Sequence, residues 1–267
     1  MQMITLSYLD LAFLALWVLV LGVVLLLNGF SQTKQLWVAT LRMVAQLLLM
    51  GVWLTWVFNA NQFIWVALVG LVMLAFAGYE IVKRQTYVFA KHGSYVIGLL
   101  SLSLTALLVT AMVLVLVVQP TPWWEPQYAI PLLGMVLGNS MTTVGIGLDT
   151  ITKNALQQKA AIEAQLALGR TAKQAIQFVR EQSLHTAMIP IINMLVAAGI
   201  VSLPGMMTGQ ILAGADPMEA VKYQIMIMLL ITVSTGSGVL IALWIAGKKL
   251  FDERDRLNIA QLIQQKS

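Results

Sequence analysis

Glu163, Ala164, Gly169 and Arg170 fall within EAQLALGRTAKQ, residues 163–174, a polar stretch between two very apolar parts of the chain. A carboxylate, a small side chain and a glycine stand together here on a stretch that reads equally as an ordinary amphipathic helix. Glu163 offers a charge to a partner, Ala164 lets another surface come close, and Gly169 permits a tight turn. A second set of polar residues sits inside apolar runs. Arg42 and Gln46 are four apart, hence on one helical face. A charge in that setting is costly unless it snorkels to the interface or pairs, and Glu80 is the carboxylate placed to pair with it. Asn139 follows Gly134 and Gly138, which make a small-x-x-x-small step, and Asn193 follows Pro190. Each amide serves either as an interhelical hydrogen bond or as part of a polar pathway. In SLPGMMTG, residues 202–209, Pro204-Gly205 is expected to end a helix, with Gly205 and Gly209 free to bend. Together with Met206 and Met207 this stretch reads as either a gate or an outer turn.

Metal chemistry is thinly supplied. The absence of cysteine excludes disulfides and thiolate sites, and two histidines, His92 and His185, are too few for a His-rich centre. The thioethers of Met135, Met141, Met206, Met207, Met226 and Met228 suit Cu(I) and not iron, and methionine in a membrane more often fills gaps. Asp149 and Asp216 are better oxygen donors for a hard cation, yet each is equally placed to start a helix. No metal site is assigned. No G-x-x-x-x-G-K-[ST] loop occurs, so P-loop ATP hydrolysis by this chain is not expected. No catalytic residue and no cofactor is assigned.

The elements that position these residues are membrane helices. Of 267 residues 59% are hydrophobic and only 10% charged, too few to solvate a soluble domain of this length. The mean hydropathy of +0.84 agrees. Stretches of about 20 apolar residues suffice for a crossing, and seven occur, at 5–28, 36–58, 62–82, 94–119, 127–148, 184–203 and 220–246. The first lacks the basic leader and small-x-small site of a cleaved signal peptide. The expected fold is all-α: a single transmembrane domain over 1–267 with about seven transmembrane helices. Net charge of +5 does not point to nucleic acid, because the basic residues cluster between apolar runs. Lys34, then Lys83, Arg84 and Lys91, then Lys153 to Arg180, then Lys248 to Lys266 fall in alternate connections, whereas NANQ and QPTPWWEP carry none. The positive-inside rule puts the N-terminus outside and the C-terminus in the cytoplasm. Residues 149–182 then form a cytoplasmic loop. Ile151, Ala155, Ile162, Leu166, Ala175, Ile176 and Val179 recur near helical spacing, Gly169 breaks the run, and Thr171 can cap a second helix from Ala172.

E-A-Q-L-A-L-G resembles the E-A-A-x-x-x-G cytoplasmic loop of ABC-transporter permeases: Glu163, Ala164 and Gly169 match, and Gln165 replaces the third position. LGRTAKQA resembles the LGAT-P-x-QA continuation, but the Leu-Pro common further on is replaced near Arg180-Glu181-Gln182. PLLGMVLGNSM at 131–141 and GIVSLPGMMTGQILAGADPMEAVKYQIM at 199–226 narrow the likeness, as does LW-x3-R-x3-Q, present as Leu36, Trp37, Arg42 and Gln46 with one extra residue before the arginine. From about Leu36 to Ala246 the chain is similar to the FetB-type permeases, which include bacterial iron-export and plant aluminium-tolerance permeases. The resemblance implies a permease subunit in a bacterial inner membrane. Two copies pair, surrounded by membrane lipid, with two separately encoded ATP-binding subunits that dock on the coupling helix at Glu163, Ala164, Gly169 and Arg170. It also implies export of a metal ion, iron first. The candidate pathway or gate residues are Arg42, Gln46, Asn139 and Asn193, as polar groups inside spans, and, by fold-level analogy with other ABC permeases, Pro204, Gly205, Met206, Met207 and Gly209. Three other readings stay open. One is a permease for an organic solute such as a nucleotide sugar or siderophore. Another is a proton-driven secondary transporter, against which stands the position of Asp10, Glu80 and Glu219 near span ends. The last is a structural membrane protein, against which stands the coupling-type loop.

Overall fold

The computed structural model describes residues 7–30, 32–60 and 62–265. Residues 5 and 6 of the first expected span, and Lys266, lie outside the described residues. Helix α1 (Tyr8–Leu27) starts on a capping box: the Asp10 N–H donates to Ser7 Oγ, and the Ser7 N–H donates back to the Asp10 carboxylate. Helices α2 (Gln32–Ala60) and α3 (Phe63–Lys83) follow. Next come α4 (Gly93–Leu102) and α5 (Leu108–Val113), joined and extended by π-helical turns at Ser103–Leu107 and Leu114–Val118. The second half holds α6 (Pro126–Gln157), α7 (Lys159–Ala167), α8 (Ala172–Ala175), α9 (Gln177–Ala197), α10 (Gly205–Leu212) and α11 (Pro217–Lys249). Both long helices of this half begin with a proline at the first helical position, where its missing N–H leaves no bond unmade.

Among the described residues six helical stretches are long and apolar enough to cross a membrane: α1, α2, α3, the continuous path Gly93–Val118, α6 and α11. The chain is therefore an all-α polytopic membrane protein. The stretch expected to cross at 184–203 differs from these six. Its helix, α9, starts seven residues earlier, at Gln177, and ends at Ala197. The first turns carry Arg180, Glu181 and Gln182, which dilute its apolar character. A second difference lies in α6, which runs on past the expected end at Leu148 to Gln157. No glycine or proline stands between Asp149 and Gln157 to stop it.

Helices α6 and α11 form the centre, with α9 and α3 packed on α6. Half of the most apolar window is buried in each of α6 and α11, against 6% in α1 and α2, so the first two helices are peripheral. Lipid tails are as apolar as leucine, so small residues and hydroxyls join the central pair. Ser140 Oγ of α6 lies 3.2 Å from Thr235 Oγ1 and 3.4 Å from Ser234 Oγ of α11, all fully buried. A Cβ on Gly147 would stand 2.7 Å from Val239 Cγ2. Gly147→Ala is expected to lower the thermal unfolding midpoint in detergent by the equivalent of ~1–3 kcal/mol of overpacking. Gly138→Ala, where a Cβ meets nothing within 4 Å, leaves the midpoint where it was.

At the end of the bundle that carries Arg84, Lys153 and Lys248, two short strands close a loop. Strand β1 (Tyr87–Phe89) pairs antiparallel with β2 (Leu262–Gln264), Val88 opposite Ile263. The chain between α11 and β2 turns on Asp252, whose Oδ1 accepts the N–H groups of Arg254 and Arg256, each at 2.9 Å. The Arg256 N–H, above the other contacts, holds the Asp252 carboxyl below its ordinary range.

Candidate functional site

The polar segment between α6 and α9 is built as a rigid elbow. Gln158 ends α6 and starts α7. Gly169 then takes φ +80, a left-handed backbone that a β-carbon disfavours. Thr171 caps α8 through a second capping box: the Gln174 N–H donates to Thr171 Oγ1, and the Thr171 N–H donates to Gln174 Oε1 at 3.0 Å. One face of the elbow is fastened down, with Ile162, Ala175, Ile176 and Val179 at 0–2% exposure. The opposite face carries Glu163, Ala164, Gly169 and Arg170, all exposed. Glu163 has one ion-pair contact, to Lys159 at 3.6 Å across a helical turn in solvent, a pairing worth ~0–1 kcal/mol. Between these four residues stands Leu168, 79% exposed at the tip. Hydrophobic periodicity did not single it out, because it lies off the buried stripe. An exposed leucine beside a glycine turn is the sequence signal that was there to be used. Beside the tip, Gln165, Arg170, Gln174, Gln177, Phe178 and Glu181 line a cleft of ≈ 590 Å³, and Gln165 Oε1 is buried without a hydrogen-bond partner.

The polar residues inside the helices separate into several places. Arg42 Nη2 donates to Glu80 Oε1 at 2.6 Å, pairing α2 with α3, and its guanidinium lies 5.0 Å over the Phe76 ring. Gln46, one turn on, is exposed. Asn139 neither bridges helices nor stands free: its Nδ2 donates to Met135 O of its own helix at 2.8 Å. The interhelical polar contact expected of it is made by its neighbour Ser140. Asn193 is exposed on α9, three residues after Pro190, which lies inside that helix. Both oxygen donors considered for a hard cation are occupied. Asp149 accepts the Thr86 N–H at 2.7 Å and pairs with Lys153 at 2.7 Å. Asp216 caps α11 by accepting the N–H groups of Met218 and Glu219. Among the described residues no group of three or more His, Cys, Asp or Glu comes together as a metal would require.

The stretch at 202–209 also departs from expectation. Pro204-Gly205 starts a helix and does not end one: Pro204 is the N-cap of α10, with ψ 144, and Gly205 is its first residue. Proline's fixed φ suits that cap, and the preceding helix has already stopped at Ala197. Neither Gly205 nor Gly209 has positive φ, and a β-carbon on either would meet nothing within 4 Å. Under α10, Pro204 and Met207 join Met228, Gln224, Leu195 and Leu203 around a cavity of ≈ 440 Å³, into which Gln224 brings a buried amide oxygen with no partner. Of the gate residues, Pro204 and Met207 are thus brought together. Met206 packs against the core, and Arg42, Asn139 and Asn193 do not line this cavity.

These features define a multi-pass helical membrane protein with a protruding helix–glycine–helix elbow at its basic end. The chain belongs to the uncharacterised protein family UPF0014, whose pattern it matches over residues 8–251. It is 35% identical over 232 residues to the UPF0014 membrane protein slr1647 of Synechocystis, covering 86% of this chain and 88% of that one. It is 30% identical over 221 residues to the probable iron export permease protein FetB of Escherichia coli, covering 83% of each. It is 35% identical over 187 residues to the protein ALUMINUM SENSITIVE 3 of Arabidopsis thaliana, covering 70% of this chain and 66% of the relative. No solved structure matches the chain.

Proposed function

We propose that this chain is the permease subunit of an ABC transporter that exports iron or another metal ion, driven by ATP hydrolysed on a separate subunit. The observation that carries this reading is the elbow. Its inner face is locked into the bundle by Ile162, Ala175, Ile176 and Val179, while its outer face presents Leu168 between Glu163 and Arg170. A rigid projection with an apolar knob and flanking charges is suited to a groove on a partner, and its fastening would transmit force to α6 and α9. The likeness of EAQLALG to the coupling loop of ABC permeases supports the same docking, and the similarity to a probable iron export permease supports the cargo.

In this reading α9 also crosses, as a seventh span, so the N-terminus lies outside and the elbow and C-terminus lie in the cytoplasm of a bacterial inner membrane, where two copies pair. This chain hydrolyses no ATP and holds no cofactor of its own. The candidate points on the cargo's path are the exposed amides of Gln46 and Asn193 and, apart from them, the cavity at Pro204, Met207 and Gln224. A path without a carboxylate cage binds weakly enough to let an ion leave. The test is reconstitution of the chain with its ATP-binding subunit in liposomes. Iron-stimulated ATP hydrolysis together with ATP-dependent movement of iron is the expected result. Failure to recruit any ATPase sinks the transporter reading, and stimulation by an organic solute but not by metals replaces the cargo.

A further inference from the structure

A groove runs along the outside of the bundle between α9 and α11, at the end carrying the elbow. One part, of ≈ 270 Å³, is lined by Lys173, Arg180, Trp244 and Lys248 together with Asp252 and Asp255. The adjoining part, of ≈ 400 Å³, shares Lys173 and Arg180 and adds the apolar wall of Leu184, Leu240 and Leu243. Among the described residues, Lys173, Arg180 and Lys248 each lack a carboxylate within 4.0 Å. Three acids share the lining: Asp252 is neutralised by Arg256, Glu181 takes a neutral amide N–H from Gln177 Nε2 at 2.9 Å, and Asp255 has no cation within 4.0 Å among the described residues.

Two details show that the groove is shaped around the arginine. Arg180 Cδ lies 3.2 Å from where a Cβ on Gly247 would stand, so a glycine on α11 makes room for the side chain. Arg180 Nε is nevertheless buried with no acceptor. No protein acceptor therefore competes for this guanidinium, whose charge is shared by its terminal N–H groups. Beside it, Lys248 Nζ lies 3.9 Å over the ring of Trp244, which is half exposed. Tryptophan with a cation at the end of a membrane helix is the arrangement of a headgroup-level interface. Leu240 continues the groove onto the exposed apolar side of α11.

We propose that this groove binds an anionic phospholipid, the headgroup phosphate among Arg180, Lys173 and Lys248 and an acyl chain along Leu184, Leu240 and Leu243. A soluble phosphate would engage the cations and leave the leucine wall bare, and an acidic protein segment would have no use for the acyl-chain track. The continuity of the two parts favours the lipid.

The test is native mass spectrometry of the purified chain titrated with phosphatidylglycerol or with phosphatidylcholine of the same chains. Preferential retention of phosphatidylglycerol is expected. Replacing Lys173→Gln and Lys248→Gln together is expected to weaken that retention about thirtyfold while phosphatidylcholine binding stays the same. Both lysines are exposed, so the double variant keeps its fold. A second measurement needs no lysine variant: phosphatidylglycerol with brominated chains is expected to quench indole emission, and Trp244→Phe to remove part of that quenching. Four results overturn the proposal. They are equal retention of the two lipids, an unchanged preference in the double variant, full competition by soluble glycerol phosphate, and a protein partner seated on the groove without any lipid preference.

Discussion

Leu168→Asp, and separately Glu163→Lys, are expected to abolish most of the metal-stimulated ATPase activity of the reconstituted complex while leaving the chain itself folded. Both side chains project from the outer face of α7 or its C-cap and are absent from the buried core. Truncating or charging an apolar knob seated in a partner's groove costs ~2 kcal/mol or more. That corresponds to about thirtyfold in affinity. Glu163→Lys acts differently, by placing a cation where the proposed docking face carries a carboxylate. Its intramolecular cost is small, since the Lys159 contact at 3.6 Å is solvent-exposed and a like-charge pair at that spacing costs ~0.2–0.5 kcal/mol. Copurification with the ATPase subunit, ATP turnover and the thermal midpoint of the permease alone are the three readouts. A lower midpoint would assign the effect to folding. Unchanged copurification and turnover in both variants would remove the elbow from the coupling role.

Glu80→Ala is the second large effect, this time on stability. Arg42 and Glu80 meet at 2.6 Å, with side chains 35% and 15% exposed. They tie α2, which is otherwise loosely held, to α3. Taking away the carboxylate leaves a guanidinium in an apolar run, at a cost of about 2–3 kcal/mol by insertion scales. The Phe76 ring beneath Arg42 and its residual exposure keep the figure from rising further. Replacing both partners, Arg42→Met with Glu80→Leu, is expected to recover most of the loss, because no charge is then left alone. A double-mutant cycle on thermal stability in lipid nanodiscs measures the coupling. A coupling energy near zero would show that the two side chains act independently.

What the sequence disclosed and what it hid divide along physical lines. Crossing helices were legible because an apolar run long enough to span has few other uses, and α1, α2, α3, α6 and α11 follow those runs. The elbow was legible through Gly169 and Thr171, since turn and cap are set by one or two residues each. Pairing of Arg42 with Glu80 was one of the readings the sequence left open, beside a snorkelling anchor and a pathway residue, and packing decides it. Contacts fixed only by three-dimensional packing were hidden. Asn139 bonds within its own helix, and the hydroxyl of Ser140 turns to α11 instead, a choice of face that spacing alone does not reveal. The strands at Tyr87–Phe89 and Leu262–Gln264 are too short to show alternation. Asp149 looked like a ligand or a helix start, and the amide that occupies it belongs to Thr86, 63 positions earlier in the chain.

The pairing of β1 with β2 has a consequence for biosynthesis. Val88 leaves the ribosome long before Ile263, its strand partner, so the first strand must wait until the rest of the bundle, through α11, has been inserted before it is satisfied. During translation its unpaired N–H and C=O groups form an open edge, which other nascent chains or chaperones can engage. Closure of this small ribbon therefore marks a late step in maturation, and protease protection around residues 87–89 would report when a newly made copy is complete.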